Sequence, residues 1–294
     1  PYDTTHYVLD GALAALDQID RMLPSVKTQI MGYCAGGVIA SIMTAWLKAR
    51  GDDRIASLSL ITTLLDYDEP GPLGRFVSNE SIESLRKPLT DVGYLPAEIM
   101  LRTFASLRPH DLLIGRILTA YVLGERSKPF PLIHWLGDGT RTPASLVLWF
   151  LENLYLNNAL VSDQKIEIAG QTIDLSTIDC PVFLFGAERD DISPWKSVMT
   201  SAQVFPNPPV CILGEGGHNS GVISPPTKNR HNHYILDLKS MTDLSVAEKR
   251  EGSWWTTWNQ FLEETAGSWT DPPRPGGGLR PVIEGAPGRY VKQS

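Results

Sequence analysis

Residues 28–49 read TQIMGYCAGGVIASIMTAWLKA, and the two ends of this stretch differ in character. Thr28 to Tyr33 is a short, largely apolar run of strand length, whereas Val38 to Ala49 is rich in Ala, Ile and Leu and reads as a helix. Between them lies Gly32-Tyr33-Cys34-Ala35-Gly36-Gly37. This G-x-C-x-G-G sequence is a nucleophile-elbow pattern with sulfur in place of oxygen. The turn is expected to be sharp, so that a side chain at Gly32 or Gly36 would collide with the neighbouring strand or helix. A helix starting just behind Cys34 would point backbone N–H groups and a positive dipole end at the sulfur, favouring thiolate over thiol. The N–H of Ala35 is the expected oxyanion donor. Two plainer readings stand beside this one. Cys34 would serve equally as a buried structural cysteine in a Gly-rich turn. The turn could also cradle phosphate, but the Walker Lys-Ser/Thr is missing and no G-x-G-x-x-G is present.

A thiol nucleophile needs a base, and the base needs an acid to orient it. Two downstream sites fit, in the order nucleophile, acid, histidine. Asp190 and Asp191 follow the apolar run PVFLF at Pro181–Phe185, and His218 follows PVCIL at Pro209–Leu213. Both lie just past the carboxyl end of a candidate strand, where α/β sheets carry their sites. A lone Asp there is usually a turn residue, and a lone His in a Gly-rich loop is usually solvated; the order and the local context argue otherwise for these two. His231 and His233 form an H-x-H with no third ligand nearby and are expected on a polar surface segment. His6 belongs on a helix, and His134, beside Trp135, is expected to be packed.

Working outward, Thr5 to Met22 has apolar residues at helical spacing, and Ile55 to Leu65 is a further buried-strand candidate. Short apolar strands separated by helices predict a parallel sheet covered on both faces. Between Tyr67 and Leu160, helical segments punctuated by prolines run far beyond the roughly 2–6 residues of an ordinary βα connection. The division that follows is 1–66, a partial α/β core with the elbow; 67–160, an inserted helical cap; 161–270, the rest of the core with acid and histidine; and 271–294, an irregular tail rich in Pro and Gly.

Composition narrows the function classes. A net charge of −7 provides no basic field for nucleic acid. No apolar run approaches the roughly 20 residues of a membrane-spanning helix, and no secretory leader is visible. The three cysteines, Cys34, Cys180 and Cys211, form neither a disulfide framework nor a ligand cluster. No metal and no cofactor are called for, and a reducing cytoplasm is the expected compartment.

The motifs also resemble a known family. GYCAGG at 32–37, LITTLLDY at 60–67, FASLRPHDL at 104–112, FLENLYLNNAL at 150–160, FGAERDDISPW at 185–195 and GGHNSGVISPP at 216–226 are similar, in this order, to polyhydroxyalkanoate synthases of the single-subunit type. GSWW at 252–255 and APGRYV at 286–291 complete the likeness. The resemblance implies an α/β-hydrolase fold, incomplete at the N-terminus, with an inserted mainly helical cap that gates the site. It implies a Cys34–Asp190–His218 triad, with Asp191 a neighbour and not the acid. The implied reaction is polymerisation of (R)-3-hydroxyacyl-CoA thioesters with release of CoA; the partners are that substrate, the growing polyester chain and a second copy of the chain in a homodimer, at cytoplasmic polyester granules.

The sequence departs from that family at several points. His110 and Leu136 stand where relatives commonly carry Asn, Asn219-Ser220 replaces a more apolar pair, and Ala35 is smaller than the usual branched residue. Smaller, more polar groups near the site are expected to alter acyl-chain preference. Only 33 residues precede Cys34, so an exposed sheet edge and loss of activity without an upstream segment are expected. Two rival functions share the motifs. One is a thioesterase or polyester depolymerase on the same scaffold. The other is a non-catalytic granule-surface protein using Trp254, Trp255 and Trp258 for docking, although packing of these tryptophans on the sheet is the preferred reading.

Overall fold

The computed structural model describes residues 2–107, 135, 138–237, 241, 244–272, 276 and 281–292. His110, His134, Leu136 and part of the tail after Asp271 lie outside the described residues, as does part of the expected cap.

Six strands form the main sheet: β1 (Thr28–Tyr33), β2 (Ile55–Ile61), β3 (Val182–Ala187), β4 (Val210–Gly214), β5 (His233–Leu236) and β6 (Glu248–Arg250). They lie side by side in chain order, and β1 is an edge strand. The first four are parallel; β5 and β6 are antiparallel to their neighbours. The expected parallel sheet is therefore a mixed one. The apolar run from Ile55 leaves the sheet after Ile61, where Thr62 takes a positive φ of 46°.

Alternation along each strand sorts side chains onto the two faces. Leu58, Leu60, Val182, Leu184, Cys211 and Leu213 face one core, together with Leu16 of helix α1 (Ala14–Met22) and Val38 and Ile42 of helix α2 (Ala35–Ala49). Ile61, Phe183, Phe185 and Ile212 face the other, under Trp254 and Phe261. Phe261 lies on a later helix, Trp255–Glu264. Burying a phenylalanine this fully stabilises the fold by about 1.5–3 kcal/mol. The Phe185 ring stacks on Trp254 at 4.1 Å between centroids. The indole N–H groups find partners: Trp254 donates to the Gly221 carbonyl at 3.0 Å, Trp255 to Val222 at 2.9 Å, and Trp258 to Ser59 Oγ at 2.9 Å. These tryptophans are thus packed on the sheet, and of the two buried serines of β2, Ser59 is explained by Trp258 and Ser57 accepts from Thr265 Oγ1 at 3.1 Å.

His233 corrects an expectation. It is buried, not on a surface segment. Its pairing with Gly214 on β4 turns the ring inward, where Nδ1 meets the Gly252 carbonyl at 2.9 Å and Nε2 meets Thr257 Oγ1 at 2.8 Å. Burial lowers its pKa, so the neutral ring is favoured.

In the excursion between β2 and β3, the described residues are mainly helical, including Asn79–Val92, Ala97–Leu107 and Ala144–Trp149. A small separate core of Ile82, Leu89, Ala144 and Leu148 holds part of it together. The loop entering this excursion is tied down by polar groups. Ser201 Oγ accepts from the N–H groups of Leu65 (3.0 Å) and Asp66 (3.3 Å), and Asn158 Oδ1 accepts from Tyr67 N at 2.8 Å.

The register aligns the carboxyl ends of the parallel strands. Tyr33 is opposite Ile61, Ile61 opposite Phe185, and Ala187 opposite Gly214. Residues that follow these strands therefore emerge along one edge.

Candidate active site

Cys34 leaves β1 at that edge with φ 53° and ψ −123°, and α2 begins at the next residue. A non-glycine residue held there is strained, as a nucleophile on an elbow is expected to be. The turn is fixed from both sides. Cys34 N donates to the Ile61 carbonyl at 2.9 Å, and its own carbonyl accepts from Gly37 N at 2.9 Å and Thr63 Oγ1 at 3.1 Å. As the first residue of α2, Ala35 has one of the N–H groups that a helix leaves unpaired.

Two glycines make this turn possible, and they are not the expected pair. A Cβ on Gly32 would come within 2.4 Å of the Gly37 Cα, a backbone contact with no room to relax. A Cβ on Gly37 would fall 2.0 Å from Thr63 Oγ1. Gly36 was expected to be crowded, but a Cβ there meets nothing within 4 Å. It faces a groove lined by Leu16, Ile19 and Met31, so the close approach of strand and helix is made at Gly37.

Asp190 follows β3 and is buried, its side chain shut off from solvent. Its Oδ1 accepts from the N–H groups of Ile192 (2.9 Å) and Ser193 (2.8 Å). Its Oδ2 lies 2.7 Å from His218 Nδ1. Of the two adjacent carboxylates, Asp190 is thus the one bonded to the imidazole. The His218 ring also contacts the Cys34 side chain. Burial disfavours the imidazolium, but hydrogen bonding to Asp190 and Cys34 and the charges of both groups outweigh it, and the His218 pKa is pushed up to about 10. The ring can therefore hold a proton near neutral pH beside a sulfur. By contrast, burial pushes the Cys180 and Cys211 thiols up to about 11 and about 12.

Four further residues at this edge had no role in the sequence reading. Thr63 holds the Cys34 carbonyl, as above. The Tyr33 ring lies 5.3 Å from that of His218, at 43°. Tyr67 and Tyr155 pack edge to face at 5.0 Å. They line a cleft of about 660 Å³ with Asp190, Trp195, Arg75 and Lys196. Burial, then the charges of Tyr155 and Cys34, raises the Tyr67 pKa well above its ordinary value. A helical-period or strand-period search cannot find such residues, because they meet only in the folded chain.

The polar pair after the histidine also has a local explanation. Ser220 Oγ accepts from Gly217 N at 3.1 Å, and Asn219 Oδ1 accepts from the Tyr33 hydroxyl. Ser220 is thus engaged inside the loop, and Asn219 reaches across to Tyr33 at the end of β1.

Cys34, Asp190 and His218 each follow a parallel strand, in that chain order, which matches the order of cysteine or serine, acid and histidine in α/β-hydrolase folds. Among the described residues, no group of three metal-ligating side chains is present, and no helix is long and apolar enough to cross a membrane.

No family model matches the chain. The chain is 34% identical to the poly(3-hydroxyalkanoate) polymerase subunit PhaC of Cupriavidus necator over 295 residues, covering 97% of this chain and 50% of that protein. It is 31% identical to PhaC of Rhizobium meliloti, covering 99% of this chain and 48% of that protein. Poly(3-hydroxyalkanoate) polymerase 1 of Ectopseudomonas oleovorans is 27% identical, with 97% and 52% covered. The chain therefore spans about half the length of the curated relatives it matches, their C-terminal half. Solved structures similar to it include a thermophilic esterase from Thermogutta terrifontis, at TM-score 0.48 and 15% identity over 90% of this chain and 74% of the other. A hydrolase from Pseudomonas aeruginosa scores 0.44 at 16% identity, with 76% and 67% covered.

Proposed function

Since this chain is a relative of the poly(3-hydroxyalkanoate) polymerases, aligned with their C-terminal half, we propose that it carries the catalytic machinery of a polyester synthase. On this reading it polymerises (R)-3-hydroxyacyl groups from CoA thioesters. One observation carries the proposal: the His218 imidazole is bonded through Nδ1 to Asp190 and contacts Cys34, which sits on the elbow.

The chemistry is acyl transfer. His218 takes the proton of Cys34, and the thiolate attacks the thioester carbonyl carbon. The Ala35 N–H stabilises the oxyanion; one donor of this kind is worth about 10²–10³ in rate. The carbonyl re-forms, the CoA thiolate leaves and takes the proton from His218, and an acyl-cysteine remains. The 3-hydroxyl of an acyl unit then gives its proton to His218 and attacks an acyl thioester. The new ester forms, and the departing thiolate recovers the proton. Exchange between thioesters is nearly thermoneutral, so sulfur keeps the acyl group activated for the next transfer.

The cleft beside Asp190 gives the substrate room, with Arg75 and Lys196 at its walls. The helical insertion, assigned to residues 67–160, acts as a cap that keeps water from the acyl-enzyme. Assembly as a homodimer at polyester granules belongs to the same proposal.

The test is CoA release and polymer formation by the natural protein from (R)-3-hydroxybutyryl-CoA, with Cys34→Ala as the control. Polymer from the parent and none from the variant supports the proposal. Free 3-hydroxy acid without polymer would make the protein a thioesterase, and polymer from Cys34→Ala would remove the nucleophile.

A further inference from the structure

The Tyr33 hydroxyl donates to Asn219 Oδ1 and lies 3.2 Å from the His218 carbonyl oxygen. Tyr33 is next to Cys34 in the chain, and Asn219 is next to His218. Two neighbouring residues of the elbow therefore grip the histidine loop from two directions. Cys34 meets the imidazole, and Tyr33 meets the backbone behind it while its ring rests against the imidazole at 5.3 Å.

This contact is partly buried. Tyr33 and Asn219 line an apolar cleft of about 280 Å³ with Ile61, Val222, Trp254 and Trp258. A hydrogen bond in such surroundings is stronger than one in water, and a lone polar group there is costly. The polar Asn219 thus has its reason in Tyr33, 186 residues away.

The elbow itself has little freedom. Cys34 is held through its N–H by Ile61 and through its carbonyl by Gly37 and Thr63. The histidine loop is held at its acid end by Asp190, at 2.7 Å from Nδ1. A ring with one anchored nitrogen can still swing about that bond. A second anchor on the same loop, reaching from the elbow, removes the swing and sets the sulfur–imidazole separation.

We infer that Tyr33 and Asn219 form a latch between the elbow and the histidine loop, and that Tyr33 is a positioning residue for the Cys34–His218 pair. The inference rests on the reading of Cys34, His218 and Asp190 as the reacting set. Tyr33 does not touch the reacting atoms; it acts through His218.

The experiment measures Cys34 alkylation by iodoacetamide against pH, with thermal midpoints recorded in parallel, for the parent chain, Tyr33→Phe, Asn219→Ala, the double variant and His218→Ala. The phenylalanine keeps the ring and removes only the hydroxyl, and Asn219→Ala breaks the latch from the other side. Each single variant is expected to slow alkylation about tenfold at neutral pH and to move its pH profile toward that of His218→Ala. The double variant is expected to be no slower than Tyr33→Phe, because removing the hydroxyl already takes away both of its contacts, to Asn219 Oδ1 and to the His218 carbonyl. A latch that only supports the fold would lower the thermal midpoint and leave the pH profile in place; that outcome overturns the inference. Parent-like profiles in Tyr33→Phe and Asn219→Ala, beside a slowed His218→Ala, overturn the latch and leave the reacting set standing. A parent-like His218→Ala removes the reacting set itself, and the latch with it.

Discussion

His218 Nδ1 lies 2.7 Å from Asp190 Oδ2, across 28 residues of chain, and the Asp190 side chain has no solvent exposure. The remaining oxygen is occupied by two backbone donors, Ile192 and Ser193. The carboxylate is therefore aimed, and it fixes which imidazole nitrogen is left for the sulfur. Asp190→Asn keeps the shape but offers an amide where the ring needs an acceptor. Acylation of Cys34 is expected to fall by about 10³–10⁴, the scale of a lost orienting carboxylate in a triad. Mass spectrometry of the acyl-enzyme under single-turnover conditions checks this, with Asp191→Asn expected to stay within about threefold of the parent.

The glycines of the elbow differ in what they tolerate. Gly37→Ala drives a methyl group into Thr63 Oγ1, which also holds the Cys34 carbonyl. A destabilisation of about 1–3 kcal/mol is expected, the usual cost of overpacking, together with slower Cys34 acylation. Gly32→Ala meets backbone and should cost more. Gly36→Ala meets open space at the start of α2 and should stabilise by about 0.4–1 kcal/mol, through a less flexible unfolded chain. Urea denaturation of the three variants ranks them; a Gly36→Ala loss as large as that of Gly37→Ala would contradict the geometry.

The contrast among these glycines shows what the sequence made legible. The strand, the elbow at Cys34 and the two later loops could be read because each is a local pattern, an apolar run closed by glycines. The start of α2 at Ala35 and not Val38 was hidden, since Gly36 and Gly37 have poor helix propensity and only the fold holds them helical. Strands β5 and β6 were not seen because HYIL and EKR carry polar residues that take their places by pairing, β5 on β4 and β6 on β5. His233 looked like a surface residue because its two partners, Gly252 and Thr257, lie 19 and 24 residues further on. Tyr33 was invisible for the same reason at longer range.

The raised pKa of His218 has a thermodynamic consequence. The folded value, about 10, exceeds the ordinary 6.5, so between these limits the folded chain binds more protons than the unfolded one. Its contribution is complete below about pH 6.5 and is lost as pH rises toward 10. Stability should therefore fall across this window. His218→Ala should flatten that part of the profile, as measured by urea midpoints from pH 6 to 10. An unchanged slope in the variant would mean that His218 titrates normally.

The three cysteines should separate by reactivity. Cys180 and Cys211 are buried, and burial pushes their thiols up to about 11 and about 12, so neither supplies much thiolate near neutral pH. Cys211 lies within β4 among apolar neighbours, and its sulfur faces the Pro209 carbonyl at 3.7 Å. Cys34 is only partly buried, stands at a helix N-terminus and contacts the His218 ring, an arrangement that supplies both access and a proton acceptor. Iodoacetamide at pH 7.5 should modify Cys34 at least about a hundredfold faster than the other two in the native chain. Denaturation should erase the difference, since all three thiols are then equally exposed. Peptide mapping with and without urea reads both arms. Equal labelling of the three sites in the native chain would mean that neither the shielding of Cys180 and Cys211 nor the activation of Cys34 operates in solution.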